Sequence, residues 1–148
     1  MVEKRVTDGV RIAQLLSSEI DGRVDGALGR LSVTNPDRAV SGTADGDRAY
    51  DIEWTEERVE DPDDSRRQHA SGEGCRIAQA FAHDDRVRIE LSAGQEVAAD
   101  RAESEGLRVR PKAVHRPKTL VFVESGAETK RAAAVLDVVS AALAENDA

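Results

Sequence analysis

Apolar and polar positions change period several times along this chain, and each change marks an element. Ile12, Ala13, Leu16 and Ile20 recur at the spacing of one helical face, so residues 7 to 21 read as an amphipathic helix. Thr7 or Asp8 can cap its start, Gly22 suits its end, and Gly9 is a weak point in the first turn. From Leu28 to Trp54 the period falls to two. Leu31 and Val33 alternate with polar neighbours, Asn35-Pro36 marks a turn, residues 38 to 43 form a weak strand, and Asp45-Gly46 is a hairpin signal. Tyr50, Ile52 and Trp54 then alternate strictly, the pattern of a strand with one buried face. Together these segments predict an antiparallel meander.

Residues 55 to 74 break the pattern. Glu56 to Asp64 holds six acids and one arginine, and Ser71-Gly-Glu-Gly74 follows, which reads as a solvated acidic loop. Ile77, Gln79 and Phe81, a turn at His83-Asp84-Asp85, and then Val87, Ile89 and Leu91 predict a second hairpin. Ser92 and Gln95 have capping-box spacing before a helix that stops at Gly106. Leu107 and Val109 begin another strand, and Pro111 and Pro117 bracket the link to the last one.

The closing stretch carries the clearest pattern. Leu120 to Val123 is a short run of β-formers, and Ser125 with Glu128 forms a capping box directly after it. Ala132, Val135, Leu136, Val139, Ala142 and Leu143 then line one face of a long helix. The order of elements predicts an α+β fold, a mostly antiparallel sheet with three helices packed on one face. At 148 residues a single domain spanning 1–148 is expected.

Charge adds a setting. The net charge is −8, from 29 acids against 21 Lys and Arg. Lysine occurs at Lys4, Lys112, Lys118 and Lys130 alone, and the large aromatics are Tyr50, Trp54, Phe81 and Phe122. An acidic, alanine-rich, lysine-poor composition suits a protein kept apart from its neighbours in concentrated salt. Cys75 is the single cysteine, which excludes an internal disulfide and fits a reduced, cytoplasmic location. No apolar run reaches the roughly 18 residues of a membrane span, and the start does not read as a signal peptide.

One segment departs from this acidic background. Leu107 to Val123 contains Arg108, Arg110, Lys112, Arg116 and Lys118, with His115, and no acid. It carries +5, which leaves −13 on the rest of the chain. On an extended strand Arg108, Arg110 and Lys112 share a face, opposite Leu107 and Val109. Three such cations suit an anionic ligand or an acidic protein surface. The competing explanation is pairing with the plentiful acids elsewhere. Nucleic acid is disfavoured: at about 1 M salt the Debye length is roughly 3 Å, and no aromatic falls within the basic face for base stacking.

Other candidate chemistry is thinner. His83-Asp84-Asp85 with His69 or Cys75 does not match a zinc spacing, so neither a metal nor another cofactor is expected. Cys75 with His69, His83 or His115 needs a meeting in space, and a small buried residue at the head of a strand explains Cys75 more simply. Asp51 and Glu53 share a strand face; an exposed acidic surface accounts for them without catalysis. No P-loop, dinucleotide fingerprint, serine-hydrolase elbow or zinc-protease motif occurs.

Arg5-Val-Thr-Asp-Gly-Val-Arg-Ile-Ala-Gln-Leu-Leu, Gly106-Leu-Arg-Val-Arg-Pro-Lys-Ala-Val and Thr119-Leu-Val-Phe-Val-Glu-Ser-Gly-Ala resemble small uncharacterised proteins of halophilic archaea. That resemblance implies a saline cytoplasm and carries over no activity and no site residue. The expected function is a small non-enzymatic binding or regulatory module that engages a protein or an anionic ligand through the basic strand face. The alternatives are a small enzyme with a carboxylate pair or a Cys/His site, and a homo-oligomer built on the closing helix, with Val138 at the margin of its apolar face.

Overall fold

The computed structural model of the chain describes residues 8–22, 30–37, 39–55, 75–112 and 118–146. The acidic stretch 56–74, with His69, and the link 113–117, with His115 and Arg116, lie outside the described residues.

Helix α1 (Gly9–Asp21) begins where the sequence places it. The Asp8 carboxylate accepts the backbone N–H of Val10 at 3.0 Å and of Arg11 at 3.5 Å, and Ile12, Ala13, Leu16 and Ile20 form its buried stripe. Strands β1 (Leu31–Thr34), β2 (Asp47–Trp54), β3 (Cys75–Ala82) and β4 (Val87–Leu91) follow. Helix α2 (Gln95–Ser104), strands β5 (Arg108–Lys112) and β6 (Lys118–Val123), a 3-10 turn at Gly126–Glu128 and helix α3 (Thr129–Asn146) complete the chain. The six strands form one antiparallel sheet in the order β1-β2-β3-β4-β6-β5. The fold is α+β, as the order of elements predicts.

Two long-range hydrogen bonds fix the helices over the core face. The Tyr50 hydroxyl donates to the Ala13 carbonyl of α1 at 2.8 Å, and Trp54 Nε1 donates to Ser140 Oγ of α3 at 3.1 Å. Around these anchors Leu31, Ile52, Ile89, Leu91, Val121, Val123 and Leu136 are buried. On β3 the core face is Ala78, Ala80 and Ala82, paired with Leu91, Ile89 and Val87. Gln79 and Phe81 therefore point to the other face. Small side chains under α1 let helix and sheet approach closely.

Four expectations are corrected. Of the weak strand expected over 38–43, the described residues 39–43 form no strand, and Thr43 alone among them forms a bridge, to His83. Short acceptors capture this segment's backbone N–H groups, Asp37 for Ala39 and Asp47 for Ser41, in competition with a ladder. The Asp45-Gly46 turn thus ends a connection between β1 and β2, which pair directly, Leu31 with Trp54. At α2 the predicted box fails: Ser92 Oγ donates to Ile77 O instead, and Gly94, at φ +60, is the N-cap. A Cβ on Gly94 would sit 2.8 Å from Val139 Cγ1, so glycine serves both the turn and the helix contact. At α3 half of the box forms, one residue early. The Glu128 carboxylate accepts the N–H of Glu124 at 2.9 Å, while the buried Ser125 Oγ has no hydrogen-bond partner among the described residues. Finally, Gly9 is required rather than weak: a Cβ there would lie 1.8 Å from His83 O.

Both edges of the sheet are blunted. Asp21 Oδ1 accepts the N–H of Val33 on β1 at 3.2 Å. On β5, Pro111 faces Thr119 and has no N–H to exchange, so Arg108 and Arg110 spend their backbone groups on β6. Val109 then supplies the one N–H that the strand interior turns outward, too little to template another strand.

Candidate functional site

The second face of the sheet carries the polar strand positions, and the ladder arranges them in rows. One row runs Thr34, Asp51, Gln79, Glu90, Leu120, Arg110 from β1 to β5. The next runs Phe81, Arg88, Phe122, Arg108 from β3 to β5. Acids therefore gather toward β2 and cations toward β5.

The acidic half is internally satisfied. Asp51 accepts Gln79 Nε2 at 2.9 Å, Asn35 Nδ2 at 3.0 Å and Arg48 Nη1 at 3.4 Å. Glu53 accepts Thr34 Oγ1 at 2.8 Å. These carboxylates are 6 % and 7 % exposed, so they are not the solvated acidic surface expected of them. Neighbouring strands cover short acidic side chains that a single-strand view places in water.

In the middle of the face Glu90, 5 % exposed, takes Arg88 Nε at 2.8 Å and Lys118 Nζ at 3.3 Å on its two oxygens. Arg88 also stacks on the Phe81 ring at 4.5 Å and donates to Asp45 O and His83 Nε2. Two cations of this face are thereby consumed. Lys118 is one of the predicted ligand-binding residues, and for it the ion-pairing explanation holds.

Arg108 and Arg110 differ. Both stand exposed on β5, while Val109 between them packs against the core. Arg108 has a side chain 61 % exposed and one long contact, 3.9 Å, to Glu124 Oε2. That carboxylate is shared with Arg86 at the same distance. Arg110 has no ion pair or side-chain hydrogen bond among the described residues. Lys112 pairs with Lys118 at the end of the same ladder. The sheet also supplies what the linear sequence hides: Phe122 is the cross-strand partner of both Arg108 and Arg88. An aromatic does lie within the basic face, though it is buried between its neighbours.

Among the described residues the Cys/His and metal alternatives are not assembled. Cys75 is exposed, not buried, at the start of β3, and His83 follows its far end, about 26 Å away along an extended strand. Among the described residues no three His, Cys, Asp or Glu side chains gather as metal ligands. Asp85, in the turn before β4, is bound by Arg86 at 3.0 Å, and this hydrogen bond holds its carboxyl below the ordinary range. Val97 on α2 is the one exposed large apolar side chain among the described residues, and Val138 is half-buried. No described helix is long and apolar enough to cross a membrane.

An antiparallel sheet with one helix-covered face and one charged face, basic along β5, defines the class of this protein. The chain belongs to a family of unknown function, DUF7993, whose model matches residues 1–148. No curated protein and no solved structure matches it.

Proposed function

We propose that this protein is a small non-enzymatic binding module that takes an anionic group, a phosphate or a carboxylate, through Arg108 and Arg110 on the open face of β5. One observation carries the reading. Of the four cations on β4, β6 and β5 of this face whose side chains are described, Arg88 and Lys118 are held by Glu90, whereas Arg108 has a single 3.9 Å contact and Arg110 none among the described residues. A guanidinium left in water keeps its forked donors for an incoming oxyanion. Two of them at alternate strand positions, about 6.6 Å apart, can bracket one polyphosphate or two successive carboxylates. Lys112, His115 and Arg116 continue the basic segment in sequence and complete the proposed ligand set with Lys118 as its Glu90-anchored neighbour. The acidic composition and single cysteine support placing this module in a saline cytoplasm.

Calorimetric titration of the protein with tripolyphosphate, a poly-glutamate peptide and single-stranded RNA tests the reading. At least one of the first two binds, and R108A/R110A abolishes it while the thermal midpoint is unchanged. Failure of all three to bind, or equal binding by the variant, removes these arginines as a site.

A further inference from the structure

The imidazole of His83 sits between two groups whose hydrogen-bonding roles are fixed. Nδ1 is 3.0 Å from Ala44 O, which can only accept, and Nε2 is 2.9 Å from Arg88 Nη1, which can only donate. One protonation state satisfies both contacts: the neutral ring with its proton on Nδ1. Any other state turns an N–H toward the guanidinium.

This contact underlies a short loop. Thr43 bridges to His83 and donates its N–H to Ala82 O, and Gly46 donates to Thr43 Oγ1 at 2.9 Å. Gly46, at φ +89, lies so close over the pair that a Cβ would come within 3.0 Å of both His83 Nε2 and Arg88 Nη1. Arg88 Nη1 reaches the same loop at Asp45 O, 3.2 Å away.

The charged groups around the ring do not stand ready to receive a proton's charge. From β4 comes Arg88, with Glu90 behind it on the far side of the guanidinium. In the ring's own turn are Asp84, Asp85 and Arg86; the Asp85 carboxylate lies close enough to feel a charge on His83, but its hydrogen bond goes to Arg86. From α1 comes the N–H of Gly9, bonded to Asp84 O, with the Asp8 carboxylate spent on the helix cap. The loop contributes Asp45 through its carbonyl, and Asp47 at the start of β2 is bonded to Ser41 N. Protonation at Nε2 would therefore remove one of Arg88's three acceptors and set two cations face to face.

We propose that His83 is a proton-operated latch: neutral, it clamps residues 43–46 against Arg88, and protonated, it releases them. The device stands apart from the anion site and does not depend on it.

The chain has three histidines, so the test uses the full-length protein carrying H69Q and H115Q, which leaves His83 as its one imidazole. Nitrogen NMR of the ring shows the Nδ1–H tautomer at pH 8. Between pH 8 and pH 5 the protection of the Thr43 and Gly46 amides, corrected for intrinsic exchange, falls by about tenfold relative to Ile89. Ordinary carboxylates, with pKa values of about 4, stay ionised in this window. Adding H83Q, which is uncharged throughout, removes the pH dependence. An Nε2–H tautomer, a ring still neutral at pH 5, titration without loss of protection, or the same loss in H83Q would each overturn the latch. If H83Q does not fold, the ring tautomer and the His83 titration decide the matter.

Discussion

Tyr50 gives the fold a specific weakness to alkali. Its side chain is buried and its hydroxyl donates to Ala13 O, so burial first, and then the charge of Asp21, push its ionisation far above that of an ordinary phenol. A group whose folded pKa is raised contributes stability that is whole below the unfolded value, about 10, and lost as pH climbs beyond it. Each pH unit above about 10 should lower the folding equilibrium constant by about tenfold through this residue alone. Tyr50→Phe removes the hydrogen bond, worth about 1 kcal/mol, and also removes the titration. The variant should thus be about fivefold less stably folded at pH 8, with the two stability curves meeting between about pH 10.5 and pH 11. Urea melts at half-unit intervals from pH 8 to pH 11.5, read by Trp54 fluorescence, measure both curves. If wild type and Tyr50→Phe run parallel across that range, Tyr50 is not the buried, neutral phenol described above.

Three further substitutions probe the packing and the open face. Gly9→Ala should gain about 1 kcal/mol on helix propensity alone, yet the close approach to His83 O predicts a net loss of about 2 kcal/mol, read in a denaturant melt; a stabilised variant would refute the contact. Glu90→Gln leaves Arg88 and Lys118 without their shared carboxylate and should cost about 2 kcal/mol, less than a fully buried pair because both cations retain some water; an unchanged thermal midpoint would show that the carboxylate is dispensable. Pro111→Val restores an outward N–H to β5 and should promote edge-to-edge association, seen as concentration-dependent sedimentation; a sedimentation profile identical to wild type would show that Pro111 does not guard this edge.

Periodicity made the elements legible where one residue's neighbours lie along the chain. The stripe of α1 and the alternation of Tyr50, Ile52 and Trp54 needed nothing more. Ala78, Ala80 and Ala82 show the limit: Gln79 and Phe81 look as much like a core face as alanines do until a helix is known to lie over them. The same holds for caps. Ser92 and Ser125 have the right spacing to Gln95 and Glu128, but Ser92 is drawn to a carbonyl of β3 and Ser125 is sealed beneath the 3-10 turn. Local signals state which bonds a residue could make, and tertiary neighbours decide which it does.

The candidate site divides along the same line. Alternation alone places Arg108 and Arg110 on one strand face. That Lys118 is spoken for follows from Glu90, 28 positions earlier in the chain, and that Phe122 stands between two arginines follows from the order β4-β6-β5. The sequence therefore overstates the number of free cations and understates their apolar surroundings.

The claim that Arg108 and Arg110 are reserved for an oxyanion is tested most directly by their own Nε–H signals. We would follow all arginine Nε–H resonances by NMR during titration with tripolyphosphate in about 1 M KCl, where diffuse attraction is screened. The account predicts saturable shifts at Arg108 and Arg110, with Arg88, held by Glu90 and Phe81, unmoved. No shift at either arginine, or equal shifts at every arginine on the surface, would contradict it.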